Sequence, residues 1–126
     1  MDPIDAKDCF DLSFGSRVIG ADIMLWEVNG RANQRWAFDP PVDEEADPHQ
    51  SYSIRNYLSG LYLDVVEEKL VQSADSERIW QLRKQHSFSG ELFCTKIGKY
   101  IDKGEEKKMA FKSDLGKRWQ LVIGRY

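Results

Sequence analysis

Cysteine is scarce in this chain: Cys9 and Cys94 are the only two. One pair is too few for the disulfide framework of a small secreted scaffold. Neither lies in a Cys-x-x-Cys pair or a Cys/His cluster, so a zinc site is not expected, and both read as half-buried free thiols. Histidine is as rare. His49 and His86 lie far apart, and neither sits in a catalytic motif. No Gly-x-Ser-x-Gly, His-Glu-x-x-His, P-loop or Gly-x-Gly-x-x-Gly pattern occurs. The chain is therefore read as a non-enzyme without metal or cofactor. No apolar run approaches the roughly 20 residues of a membrane helix, so membrane insertion is not expected. The start, Met1-Asp2-Pro3-Ile4-Asp5, lacks the basic-then-apolar layout of a signal peptide. The expectation is a cytoplasmic or non-classically secreted protein. Excess charge is missing too: the formal net charge is −3 and the pI about 5.4. That balance gives no global attraction to nucleic acid, which is not expected as a partner.

What is present suits one soluble globular domain over 1–126. Hydrophobic residues make up 41% of the 126 and charged residues 31%, enough to bury a core. The tryptophans show its organisation. Arg35-Trp36-Ala37-Phe38, Ile79-Trp80-Gln81-Leu82 and Arg118-Trp119-Gln120-Leu121 end three similar segments, with Trp80 44 positions after Trp36 and Trp119 39 after Trp80. A period near 40 marks repeated supersecondary units. The units also open alike, at Cys9-Phe10-Asp11-Leu12, Tyr62-Leu63-Asp64-Val65 and Tyr100-Ile101-Asp102-Lys103. The repeats run over about 1–40, 50–84 and 88–126.

Within each unit the local signals are strand and turn. Tyr52–Asn56 alternates large and polar residues, Ser59-Gly60 marks a turn, and Leu61–Val65 follows as a second strand. Leu92–Ile97, a turn at Gly98-Lys99 and Tyr100–Asp102 repeat the arrangement, and Trp119–Ile123 reads as a last strand. No segment carries an apolar stripe at helical spacing. The fold class is all-β, with three copies each burying an apolar face against the other two. Trp36, Trp80 and Trp119 read as core.

In the first repeat, Asp11-Leu12-Ser13-Phe14-Gly15-Ser16, then Leu25-Trp26, then Ala32-Asn33-Gln34-Arg35-Trp36 resembles a ricin B-type lectin repeat, a family marked by Gln-x-Trp triplets. The likeness runs from about Cys9 to Ile123, and the Tyr52–Asp64 stretch is similar to fungal members. The resemblance implies a β-trefoil with pseudo-threefold symmetry and a sugar site. Asp11 matches the carboxylate that accepts from two neighbouring sugar hydroxyls, and an ionised carboxylate is an acceptor only. Trp26 matches the aromatic platform under the apolar face of a pyranose. Asn33 matches an amide that both donates and accepts, and Gln34 the residue that steadies Asp11. Met24 stands where some members place a polar contact. The implied partner is a glycan or glycoprotein with terminal galactose or N-acetylgalactosamine.

The spacing from opening Asp to closing Trp is 25 in the first repeat, 16 in the second and 17 in the third. The first repeat thus has extra residues, read as including Trp26 and as the walls of a pocket. The second offers Ser73 and Ala74 near the platform position and Glu77-Arg78 in place of Asn-Gln. The third offers Phe111 and Gly116-Lys117. One competent site is expected, with Asp64 and Asp102 as turn or strand-end carboxylates. Ile54 lies 10 before Asp64 and Leu92 10 before Asp102, but the equivalent place before Asp11 is Met1. The first strand is therefore short, its gap filled by Pro3-Ile4 or covered by a second subunit, and a homodimer would strengthen a shallow site through avidity. Asp39–His49 reads as a solvated linker, and the mixed charges of Lys96–Arg118 as a solvated surface. The competing functions are a sugar-blind interaction module and a protease inhibitor. The latter needs an exposed rigid loop that the sequence does not single out.

Overall fold

The computed structural model describes residues 2–3, 8–27, 29–42, 49–86, 89–103, 109–112 and 118–120. Twelve strands lie among them, four to each repeat. The first repeat holds β1 (Asp2–Pro3), β2 (Asp8–Leu12), β3 (Ile23–Glu27) and β4 (Trp36–Asp39). The second holds β5 (Ser51–Asn56), β6 (Tyr62–Val66), β7 (Lys69–Ser73) and β8 (Trp80–His86). The third holds β9 (Ser89–Cys94), β10 (Lys99–Lys103), β11 (Met109–Lys112) and β12 (Arg118–Gln120).

The pairing makes a β-trefoil. Strands β4, β5, β8, β9, β12 and β1 follow one another as antiparallel neighbours around a barrel. The second and third strands of each repeat, β2–β3, β6–β7 and β10–β11, form three hairpins against it. The shared core includes Phe10, Leu12, Leu25 and Trp36 from the first repeat, Tyr52, Ile54, Leu63 and Trp80 from the second, and Leu92, Cys94 and Ile101 from the third. A side-chain period of two puts these residues on one face of each strand.

The repeating tryptophans have a specific task. The Trp36 indole N–H donates to the Phe10 carbonyl at 3.1 Å, and that of Trp80 donates to the Leu63 carbonyl at 3.0 Å. In each case a ring from the repeat's last strand holds the residue just before the repeat's Asp. The side chain of Trp119, the third expected core tryptophan, lies outside the described residues.

Several expectations change in detail. Asp2–Pro3 does supply a short first strand, pairing with Gln120 and Trp119, while Ile4 lies outside the described residues. Strand β9 stops at Cys94 and not at Ile97, because the chain turns over 95–98, where Gly98 takes a φ of 65° and its N–H donates to the Cys94 carbonyl. Neither cysteine forms a disulfide, and both are wholly buried where half-burial was expected. Burial pushes the Cys94 thiol above its ordinary range. Most of the expected 39–49 linker, and Gly116-Lys117, lie outside the described residues.

Candidate functional site

Asp11 is the middle of the site. It lies in β2 opposite Met24 of β3, and only 6% of its surface is exposed. Gln34 donates through Nε2 to Asp11 Oδ2 at 2.8 Å, and Asn33 donates through Nδ2 to Asp11 Oδ1 at 3.3 Å. A short 3-10 turn, Ala32–Gln34, delivers both amides. Gln34 is itself fixed on three sides. Its Nε2 also donates to the Glu27 carbonyl at 2.7 Å, and its Oε1 accepts from the Asn29 N–H at 2.7 Å. Asn33 also donates to the Leu12 carbonyl at 3.2 Å, and its own carbonyl accepts from Asn56 Nδ2 at 3.1 Å. The carboxylate is thus held at two of its roughly four lone-pair positions, leaving acceptor capacity toward the cleft. Burial pushes the Asp11 carboxyl above the usual carboxylate range, against the opposing pull of Gln34 and Asn33.

An open cleft of about 530 Å³ lies over this carboxylate. Asp11, Met24, Trp26 and Asn33 line it from the first repeat, with Gly15, Asn29 and Arg31 at its loops and Leu58 from the second. Trp26 is 49% exposed, a large aromatic face left to solvent beside a buried acid. All four sequence-predicted residues therefore come together: Asp11, Trp26 and Asn33 on the cleft, and Gln34 buried behind Asp11. Leu58 was not anticipated. It follows Tyr57 in the turn after β5, whose backbone is held by Asn56 Oδ1 accepting from the Leu58 N–H at 2.9 Å.

Register shows what occupies the corresponding places elsewhere. Trp26 pairs with Cys9, Ser73 with Tyr62 and Lys112 with Tyr100, so Ser73 and Lys112 stand where Trp26 stands. Trp26 is therefore not one of the extra residues. The extra length lies in the 13–22 connection between β2 and β3, against the two-residue turn Glu67-Glu68 between β6 and β7, and in the segment leading to β4. Phe111 is not a platform in the third repeat. It pairs with Ile101 and packs against the core.

The other two aspartates lie within hairpin strands, not in turns, and each meets a lysine. Lys96 Nζ is 2.9 Å from Asp64 Oδ1, with Ser73 Oγ donating to Oδ2 at 2.8 Å and the Val65 N–H to Oδ1 at 2.7 Å. Burial alone would raise the Asp64 carboxyl, but Lys96, Ser73 and the Val65 N–H together hold it below its ordinary value. The same contact raises the Lys96 ammonium. Asp102 Oδ2 lies 3.6 Å from Lys112 Nζ. Asp11, by contrast, is held by two neutral amides, which bring no positive charge to its carboxylate.

No protein-family model and no curated protein matches the chain. Its backbone is similar to the crystal structure of ThreeFoil, a designed three-fold symmetric protein, with a TM-score of 0.78 over 97% of this chain and 95% of that one. The two sequences are 22% identical, so the likeness speaks for the threefold β architecture alone.

Proposed function

We propose that the chain is a non-catalytic lectin that binds a terminal galactose-type sugar in the cleft of the first repeat. The observation that carries this reading is the half-exposed Trp26 ring beside a carboxylate that neutral amides hold in place. A pyranose has an apolar C–H face and a rim of hydroxyls. The ring suits the first, and an acceptor-only carboxylate suits a pair of donors from the second. Asn33 spends its Nδ2 on Asp11 and the Leu12 carbonyl, so its Oδ1 is the atom that serves a further hydroxyl. The galactose preference follows from the resemblance to ricin B-type repeats. Ser73 and Lys112 at the platform positions, and the lysine partners of Asp64 and Asp102, favour a single site.

A glycan array with wild type and Asp11→Ala side by side tests the proposal. Wild-type binding to galactose-terminated glycans, lost in Asp11→Ala, is the expected outcome. Equal binding by both proteins would move the site elsewhere. A folded wild type that binds no glycan would remove the lectin reading.

A further inference from the structure

The long β2–β3 connection does more than wall the cleft. Its outer part, Arg17-Val18-Ile19-Gly20, is exposed, with Val18 at 67% and Ile19 at 63%. Exposed loops with apolar tips usually lack internal support. This one is held from beneath by Gln72 of the second repeat, whose exposure is 0%. The Gln72 side chain donates through Nε2 to two loop carbonyls, Ser16 at 3.0 Å and Val18 at 2.8 Å. Its backbone adds two more bonds. The Gly20 N–H donates to the Gln72 carbonyl at 2.8 Å, and the Gln72 N–H donates to the Ala21 carbonyl at 3.1 Å. Ser59 Oγ donates to Gln72 Oε1 at 2.8 Å, which fixes the amide with its NH2 toward the loop. Within the loop, the Val18 N–H donates to Ser16 Oγ at 3.1 Å, and the Ala21 N–H donates to the Val18 carbonyl at 3.2 Å.

The two carbonyls that Gln72 holds lie on either side of the Arg17–Val18 link, one on the residue before Arg17 and one on Val18 itself. The clamp therefore spans the Arg17–Val18 peptide bond from both sides while the Arg17 side chain stays in solvent. We propose that this loop is a substrate-like inhibitor of serine proteases whose specificity pocket carries an acidic residue. Arg17 fills that pocket, and Arg17–Val18 is the bond offered to the protease serine. An acid at the base of the pocket selects a basic residue before the scissile bond, and Arg17 supplies the complementary charge. A loop already held by hydrogen bonds loses less entropy on docking than a free one, which favours affinity.

The clamp also accounts for inhibition in place of digestion. Attack of the protease serine on the Arg17 carbonyl carbon breaks the bond to the Val18 nitrogen. The serine proton passes by way of the protease histidine to the new Val18 amine, leaving Arg17 as a serine ester. Gln72 still holds the Ser16 carbonyl on one side of the break and the Val18 carbonyl on the other. The amine stays beside the ester, attacks it, returns its proton through the histidine, and restores both the peptide bond and the free serine. The high effective concentration of a tethered nucleophile favours this return over attack by water.

The test is inhibition of trypsin by the full chain, with intact mass measured after long incubation. Wild type is expected to inhibit stoichiometrically and to remain largely uncut. Arg17→Ala is expected to weaken inhibition by about a hundredfold or more, as for a central anchor residue. Arg17→Phe is expected to move inhibition from trypsin to chymotrypsin. Arg17 is exposed, so neither change should disturb folding. Gln72→Leu is expected to turn the chain into a substrate cut between Arg17 and Val18. Absence of trypsin inhibition by folded wild type, rapid cleavage of wild type after Arg17, or equal inhibition by Arg17→Ala would each overturn the proposal. The glycan array reads a different surface chemistry, so inhibition without glycan binding would retain this inference while removing the lectin reading.

Discussion

At the scale of single residues, Asp11 and Asp64 occupy the same register position and respond to acid in opposite ways. The Asp11 carboxyl is raised, so between its ordinary value of 3.8 and its folded value the folded chain holds more protons than the unfolded chain. Protonation in that window favours folding, and the associated stability is lost as pH rises through the folded value. The Asp64 carboxyl is lowered, so its contribution is present above 3.8 and lost only as pH falls through the lower folded value. Acidification from pH 7 toward about 4 should therefore weaken sugar binding through Asp11 while Asp64 and the fold stay intact. Calorimetric affinities across that range, with circular dichroism beside them, check it. Affinity that holds level until the fold itself is lost would argue against a binding role for Asp11. Trp26→Ala separates binding from stability in another way. About half the ring is already in water, so the melting temperature should shift little, while affinity falls by roughly 1.5–3 kcal/mol, or about ten- to a hundredfold.

At the scale of the element, three hairpins of one design give their acids different partners, amides at Asp11 and lysines at Asp64 and Asp102. The β6–β7 hairpin closes on a two-residue turn, Glu67-Glu68, with positive φ at both positions, and its acid is neutralised by Lys96 from the third repeat. The raised Lys96 ammonium keeps its share of stability up to its ordinary value near 10.5 and loses it as pH rises through the folded value. Lys96→Met should cost about 1–2 kcal/mol in urea unfolding at pH 7, since a buried carboxylate keeps only Ser73 and one N–H. Adding Asp64→Asn should restore most of that loss. If Lys96→Met alone unfolds like wild type, the pair is merely a surface contact. These partnerships mark how far the sequence could be read. The opening Asp and closing Trp marked all three repeats, and Trp26, Asn33 and Gln34 fell at matching intervals within one of them, but the hairpins that carry the aspartates were not read from the spacing. Lys96, Leu58 and Gln72 come from outside the repeat they serve, and local spacing carries no signal for a partner 32 or 56 positions away. Phe111 misled for a related reason. Its distance from Asp102 was legible, but which face it takes depends on the register that pairs it with Ile101.

At the scale of the whole molecule, all three repeats contribute to one core, whereas the candidate cleft is built mainly by the first. Core residues of all three repeats touch in one cluster, so unfolding should be a single cooperative transition. Trp36 and Trp80 are symmetry mates within it, each buried and each donating its indole N–H to the carbonyl before an Asp. Trp→Phe at either place removes that donor from a buried carbonyl and opens a small cavity. The expected cost is about 2–4 kcal/mol at both positions. The functional consequences should differ. Trp36 holds Phe10, the neighbour of the acid beneath the cleft, whereas Trp80 holds Leu63, beside the acid already paired with Lys96. Trp36→Phe should therefore lower sugar affinity in protein that remains folded, and Trp80→Phe should leave it unchanged. Equilibrium unfolding and glycan titration on both variants make the comparison. Matching stability losses with binding impaired only in Trp36→Phe would show that the symmetric scaffold feeds a single asymmetric site. Equal impairment of binding would instead mean that affinity follows overall stability and that the link from Trp36 through Phe10 to Asp11 has no separate role.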